Sequence, residues 1–67
     1  MIFLNGDGSD LNAGDTVAVA LARLDIGPDA KGIAVAVDGA VVPRGAWEGF
    51  ALSEDARVEV LTAMQGG

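Results

Sequence analysis

The sequence predicts an α+β domain in which one helix packs on one face of a single mixed β-sheet. Three observations predict this class. Residues 17–24 carry apolar side chains at helical spacing, whereas segments on both sides of them are short and strand-like. Pairs of turn-forming residues containing glycine separate these segments, and no repeat or linker divides the 67 residues. The elements therefore follow the order β-β-α-β-β-β in one domain, which is the β-grasp arrangement.

The first two strands are predicted from an apolar run and the turn residues after it. Residues 2–4 are apolar, and residues 5–8 are Asn-Gly-Asp-Gly, a cluster suited to the positive φ angles of a tight turn. Because Leu11 and Ala13 alternate with polar residues, we expect the returning strand at residues 10–13. Gly14 and Asp15 would end it.

The helix is expected to begin after Asp15 or Thr16, because either side chain can accept a hydrogen bond from the free amides of a first helical turn. Gly27-Pro28 should end it, since proline lacks the amide hydrogen and disfavours a helical residue before it. The predicted buried face has apolar residues at positions i, i+4 and i+7: Val17, Leu21 and Leu24.

The second half of the chain has the strongest strand pattern. Ile33 to Val37 alternates, Asp38-Gly39 is a dipeptide preferred in type I′ turns, and Ala40 to Val42 returns until Pro43, which cannot donate to a ladder. Residues 45–50 should form a turn or short 3₁₀ segment, with two core aromatics, Trp47 and Phe50.

The last predicted strand runs from Arg57 to Thr62. Its alternation places two sets of side chains on opposite faces: Val58, Val60 and Thr62 on one, and Arg57, Glu59 and Leu61 on the other. The first set should face the helix, so Leu61 should lie on the open face of the sheet. By the same parity, Phe3 should lie there too.

Composition excludes several functional classes. The chain has no cysteine and no histidine, so it lacks disulfides, thiolate ligands, a persulfide-forming side chain and the commonest general base. The net charge of −6 has the wrong sign for binding nucleic acid or anionic membranes and favours a basic protein partner. The acidic residues Asp7, Asp10 and Asp15 lack the loop pattern of a calcium site. We therefore expect a non-enzyme without bound metal or cofactor.

No segment reaches the roughly 18 apolar residues of a membrane span. The N-terminal segment also lacks the basic region of a signal peptide. These two features predict a cytoplasmic protein.

The chain ends in Gly66-Gly67 directly after the last strand. Without side chains, this pair fits a channel too narrow for other dipeptides. A C-terminal carboxylate is ionised at neutral pH and needs activation, such as adenylation, before acyl transfer. We therefore expect a folded domain at residues 1–62 and a flexible tail at residues 63–67, with the carboxylate of Gly67 as the candidate reactive group.

Several segments together resemble the sulfur carrier proteins of the thiamine pathway (ThiS), which are small ubiquitin-like β-grasp proteins. The matching pieces are residues 14–17, 34–44, 58–61 and 63–67, with Trp47 between them. The most discriminating piece is Val42-Pro43-Arg44 followed by Trp47, which related molybdopterin sulfur carriers generally lack. Asp38 is a departure, because the family often has asparagine there, and both residues suit the turn.

The resemblance implies a mechanism with Gly67 as the modified residue, and with Gln65 and Gly66 recognised beside it. An E1-like adenylating enzyme would use ATP and magnesium to form an acyl-adenylate. Sulfur from a cysteine desulfurase pathway would then produce a thiocarboxylate, and thiazole synthase would accept that sulfur. The chain itself would have no catalytic residue.

Three residues are candidates for docking these partners: Phe3, Arg44 and Leu61. Phe3 and Leu61 could form an apolar patch on the open sheet face, whereas Arg44 could contact the activating enzyme, hold a carboxylate or cap a carbonyl of its own loop. Other functions remain open at this point. They are a sulfur carrier for molybdopterin, tRNA thiolation or an amino-acid pathway, a ubiquitin-like protein modifier, and an interaction module with an inert terminus.

Overall fold

A computed structural model describes residues 1–62 of the chain. The elements of this part, in chain order, are β1 (Phe3–Leu4), β2 (Asp7–Gly8), α1 (Val17–Arg23), β3 (Ile33–Val37), β4 (Ala40–Val42), a 3₁₀ turn (Arg44–Ala46) and β5 (Arg57–Thr62). The strands form one sheet in the order β2-β1-β5-β3-β4. This is the predicted β-grasp arrangement. The predicted tail, residues 63–67, lies outside the described residues.

Strand β5 is the centre of the sheet and makes it mixed. It pairs in parallel with β1 on one side and antiparallel with β3 on the other, where the register runs from Ile33 opposite Thr62 to Val37 opposite Val58. The last strand in sequence therefore lies between the two hairpins, and it joins them into one sheet.

The first hairpin is tighter than predicted. Asn5 and Gly6 have φ angles of 53° and 88°, as a two-residue type I′ turn requires, and Leu4 pairs with Asp7 immediately after it. The strand predicted at residues 10–13 is therefore wrong, because the second strand is already complete at Asp7–Gly8. Leu11 is 5% exposed, so its apolar character reflects burial of a loop residue in the core.

The helix begins where predicted and ends early. Thr16 is the N-cap, and its Oγ1 accepts a hydrogen bond from the Val19 amide at 3.3 Å. At the other end Asp25 has a φ of 60°, and the amides of Asp25 and Ile26 donate to the carbonyls of Ala22 and Leu21, both at 3.0 Å. These bonds form a Schellman motif, which stops the helix before Gly27-Pro28.

Two predicted core residues are more exposed than expected. Leu24 is 36% exposed, because the helix ends at Arg23 and no longer aims this side chain at the sheet. Phe50 is 38% exposed, whereas Leu52 is 2% exposed. The two residues flank the bridge between Ala51 and Thr16, and only Leu52 packs into the core.

The remaining predictions for the second half are confirmed. The bounds of β3, β4 and β5 agree, and Asp38 and Gly39 have φ angles of 50° and 86° in a second type I′ turn. Trp47 is 4% exposed, and its indole Nε1 donates to the Val42 carbonyl at 2.9 Å. Within residues 1–62, no helix is long and apolar enough to cross a membrane.

The first residue of each hairpin turn also caps β5 with its side chain. Asn5 Oδ1 accepts from the Val60 amide at 2.7 Å, and Asp38 Oδ1 accepts from the Arg57 amide at 3.0 Å. Both residues therefore combine a left-handed backbone, which Asn and Asp tolerate, with a side-chain acceptor that glycine would lack.

Replacing Asn5 by glycine should separate these two roles, because glycine keeps the positive φ angle and removes the acceptor for the Val60 amide. We expect the free energy of unfolding to fall by about 1 kcal/mol more than for Asp25→Gly, measured by urea denaturation. Asp25 is the matched control, since it also has a positive φ angle and its side chain makes no hydrogen bond within residues 1–62. Equal losses for the two variants would mean that the cap contributes nothing.

Candidate functional site

The predicted reactive group lies beyond the described residues. Gly67, with Gln65 and Gly66 beside it, belongs to residues 63–67, so their site roles stay predictions. The structure does show what precedes them. Thr62, the last described residue, is the end of β5 and is paired with Ile33 of β3. The predicted tail is therefore attached to a strand that the sheet holds in place.

Two buried valines anchor β5, the strand that leads to the predicted tail, in the core. Val58 and Val60 of β5 are 1% and 8% exposed, and they point to the same face as Val35 of β3. Helix α1 covers this face with its buried residues Val17, Ala20 and Leu21. Each buried valine removes enough apolar surface to stabilise the fold by about 1.5 kcal/mol or more.

The other side of the sheet, which we call the open face, is not covered by the helix. Leu61 lies here as predicted and is 66% exposed, and Val41 of β4 is 77% exposed. Ala34 pairs with Leu61 and Ala36 pairs with Val41, so the two alanines lie between the larger side chains. We call these four residues the apolar strip: Leu61, Ala34, Ala36 and Val41.

Val41 is a member of the apolar strip that the sequence analysis missed. The strand alternation could have identified it. Val42, the last residue of β4, is buried, so its neighbour Val41 must point to the opposite face of the sheet. Val41 and Leu61, with the two alanines between them, form a small apolar surface suited to protein contact.

Phe3 shares the open face with Leu61 but is not part of the apolar strip. It is half-buried, pairs in register with Arg57, and its ring centroid is 5.2 Å from the Arg57 guanidinium. Arg57 and Leu61 are four residues apart on β5, or about 13 Å at 3.3 Å per residue, with Glu59 between them. The structure therefore places Phe3 and Leu61 on one face without bringing them together.

Arg44 lies at a different surface. Its Nη1 donates to the Pro28 carbonyl at 2.7 Å, its Nη2 donates to the Ala30 carbonyl, and its guanidinium is 4.6 Å from the Trp47 ring centroid. Arg44 thus caps carbonyls, which is one of the expected roles, but they belong to the loop between α1 and β3 and not to its own loop. Arg44 thereby ties the loop between α1 and β3 to the 3₁₀ turn.

A groove of about 400 Å³ lies beside Arg44, on the helix side of the sheet. Its walls are mainly apolar and include Leu21, Ile26, Pro28 and Trp47. The groove therefore belongs to the surface formed by α1, the following loop and the 3₁₀ turn. It is separate from the open face, on which Leu61 lies.

The acidic residues near the first hairpin are engaged in local contacts. Asp10 Oδ1 pairs with Arg23 Nε at 2.9 Å, and Asp15 Oδ2 accepts from the Asn12 amide at 2.8 Å. Among residues 1–62, no three acidic side chains are grouped so that they could hold a metal ion. These side chains hold the loop that leads into the helix.

Comparisons with known proteins agree with this architecture. A family model described as the ThiS family matches residues 2–67. The chain is similar to a crystal structure of a thiamine biosynthesis protein (ThiS) from Geobacter metallireducens, with a TM-score of 0.74, 26% identity, and coverage of 98% of this chain and 97% of that one. An NMR solution structure of a thiamine biosynthesis protein from Geobacter metallireducens gives a TM-score of 0.72 and 26% identity, covering 98% and 86%. No curated protein sequence matches significantly.

Replacing Arg44 by alanine tests whether its contacts stabilise the fold. The variant leaves the Pro28 and Ala30 carbonyls without their donor and uncovers the Trp47 ring, so the free energy of unfolding should fall by about 1 kcal/mol. Tryptophan fluorescence during urea denaturation reports this directly. Arg23→Ala, which removes an exposed ion pair with Asp10, is the control and should cost less. If both variants have the same free energy of unfolding, the contacts of Arg44 do not stabilise the fold.

Proposed function

Because the chain belongs to the ThiS family, we propose that it is a sulfur carrier of thiamine biosynthesis that carries sulfur on the C-terminal carboxylate of Gly67. The observation that carries the proposal is the family match itself, which runs through residue 67 and so includes the terminal glycines. The β-grasp fold, with a central strand that leads directly to the tail, is consistent with it.

The proposed chemistry takes place in three steps at the Gly67 carboxylate. A carboxylate oxygen first attacks the α-phosphorus of ATP, bound with magnesium in an adenylating enzyme, and pyrophosphate leaves. A persulfide sulfur from a cysteine desulfurase pathway then displaces AMP to form an acyl disulfide, and a thiol reductant cleaves its S–S bond, which leaves the thiocarboxylate on Gly67 and a disulfide on the donor side. Adenylation is needed because a free carboxylate has no adequate leaving group.

The chain's own part is to present this carboxylate. With no cysteine, it cannot carry the sulfur as a side-chain persulfide, and with no histidine it lacks the commonest general base. We therefore assign the catalytic residues to the partners, an E1-like adenylating enzyme and a thiazole synthase. In this assignment the fold of residues 1–62 identifies the carrier, and residues 65–67 enter the partner's active site.

The open face is the proposed docking surface for the activating enzyme. Leu61 is the most suitable contact residue, because it is exposed and lies at the penultimate position of the strand that leads to the tail. The net charge of −6 suits a partner with a basic surface around its nucleotide site. Phe3 remains a candidate contact together with Arg57, whereas the loop contacts of Arg44 favour a role in the fold.

The structure explains why the residues that distinguish the resemblance occur together. Pro43 precedes the 3₁₀ turn, Arg44 caps the loop carbonyls, and Trp47 donates to the Val42 carbonyl. These residues thus form one packed unit, and their contacts are internal. Carriers for molybdopterin, tRNA or amino-acid pathways and protein modifiers are alternatives that differ in the product formed.

The mass of the intact chain tests the proposed chemistry. After incubation with the adenylating enzyme, ATP, magnesium and a sulfur donor, we expect an increase equal to the mass difference between sulfur and oxygen, located in the C-terminal peptide. Adding thiazole synthase with its other substrates should restore the original mass. An isopeptide-linked product would instead identify a protein modifier.

The matched control is a chain that lacks Gly67. It should unfold at the same temperature as the full chain, because residues 1–62 contain the core, yet it should acquire no sulfur. A mass increase on an internal residue, or the same increase in the shortened chain, would contradict the assignment to Gly67.

Leu61→Glu tests the docking surface. A charge in the apolar strip should raise the Kd for the adenylating enzyme about tenfold, equivalent to roughly 1.4 kcal/mol, without affecting stability. Leu24→Glu is the matched control, because Leu24 is also partly exposed but lies on the helix side. Association of both chains should slow as salt rises, through screening. Equal Kd values for the two variants would place recognition away from the open face.

A further inference from the structure

Strand β1 ends before β5 does, so the last part of β5 has no neighbouring strand on its β1 side within residues 1–62. The register pairs Phe3 with Arg57 and Leu4 with Val58, after which the turn at Asn5 carries the chain away to β2. On its other side, β5 remains paired with β3 as far as Thr62. From the Val60 carbonyl onward, the β1 side of β5 therefore pairs with no strand of residues 1–62.

The hydrogen bonds identify the groups on this edge. The amides of Phe3 and Asn5 donate to the carbonyls of Ala56 and Val58 at 2.9 and 2.8 Å, so alternate β5 residues direct their backbone groups toward β1. Val60 continues this series, and its amide donates to Asn5 Oδ1 at 2.7 Å. The Val60 carbonyl and the Thr62 amide are next, and no strand of residues 1–62 lies beside them.

We propose that this edge, formed by the Val60 carbonyl and the Thr62 amide, binds an extended segment of the activating enzyme as an additional strand parallel to β5. In a parallel ladder, a residue opposite position j of the neighbouring strand donates its amide to the carbonyl of residue j−1. Its own carbonyl accepts from the amide of residue j+1. A partner residue opposite Leu61 would therefore use both groups. This inference rests on the proposed function.

The free groups favour a parallel strand over an antiparallel one. An antiparallel strand opposite Val60 would need both the amide and the carbonyl of Val60. The Val60 amide already donates to Asn5 Oδ1. For the same reason a symmetric pair of chains is a poor occupant, because a two-fold axis would make two β5 edges antiparallel. The added strand would instead occupy the position of a longer β1.

The length of the chain beyond this edge identifies the occupant. Residues 63–67 number five, so the proposed reactive carboxylate is at most about 18 Å from Thr62, even when the chain is fully extended. An enzyme that acts on Gly67 must therefore bring its surface close to this edge. Leu61 lies between the two free groups and is exposed on the open face, so the edge and the apolar strip form one continuous surface.

The test removes the Thr62 amide hydrogen and nothing else from the edge. Replacing Thr62 by its α-hydroxy acid analogue keeps the side chain and converts the amide into an ester. We expect the Kd for the adenylating enzyme, measured without ATP, to rise about 3- to 10-fold, as for the loss of one hydrogen bond. Exchange of the Thr62 amide hydrogen in the unmodified chain should also slow on complex formation.

The matched control is the same ester at Val41. Its amide lies on the outer edge of β4, because Ala40 and Val42 direct their backbone groups to β3. Both esters therefore remove one edge amide hydrogen and weaken one ladder carbonyl, so their stabilities should agree. The Val41 ester should bind like the unmodified chain.

The outcomes separate this inference from the proposed function. Equal Kd values for the two esters overturn the added strand alone. A chain that binds but never gains sulfur overturns the proposed function alone, because the binding measurement does not depend on ATP. If the unmodified chain does not bind the enzyme at all, both are wrong.

Discussion

The pairing of β5 with both neighbours is the interaction on which the rest of the structure depends. It connects a hairpin at the start of the chain with a hairpin in the middle, and without it neither has a sheet to join. Two side chains strengthen this pairing from opposite sides, Asn5 at Val60 and Asp38 at Arg57. Since Val58 and Val60 also supply the core under α1, backbone pairing and apolar burial depend on the same strand.

The same strand connects the fold to the proposed function. One face of β5 is buried by the helix, the other carries Leu61 in the apolar strip, and its end leads to the predicted tail. A partner that binds the open face would therefore contact the strand that precedes the proposed reactive terminus. The helix side has a different role, because Arg44 and Trp47 hold the loop after α1 through internal contacts.

Much of this fold could be predicted because its signals are local. The dipeptides Asn-Gly and Asp-Gly fix type I′ turns, Thr16 caps the helix, and the alternation in β5 fixes which side chains are buried. The errors arose where non-local contacts decide. Leu11 is buried from a loop, and Phe50 lies outside the core although it is only two residues from the buried Leu52; a short window of sequence reveals neither.

The candidate site was predictable to a smaller extent. Parity placed Leu61 correctly on the open face, but the distance between Phe3 and Leu61 depends on the register of β1 against β5, which the sequence does not state. The contacts of Arg44 required the tertiary fold, since Pro28 and Ala30 are remote in sequence. The Schellman motif at Asp25 was missed because this position usually carries glycine.

The central claim is that the partner recognises β5 and the open face, next to the strand end from which the tail begins. Amide NMR spectra of the labelled chain, recorded while unlabelled adenylating enzyme is added without ATP, test it most directly. We expect the signals of Ala34, Ala36, Val41 and residues 59–62 to broaden first, while those of Ala22, Gly27 and residues 44–48 around the helix-side groove persist. Broadening confined to the groove residues, with the β5 signals unchanged, would contradict it.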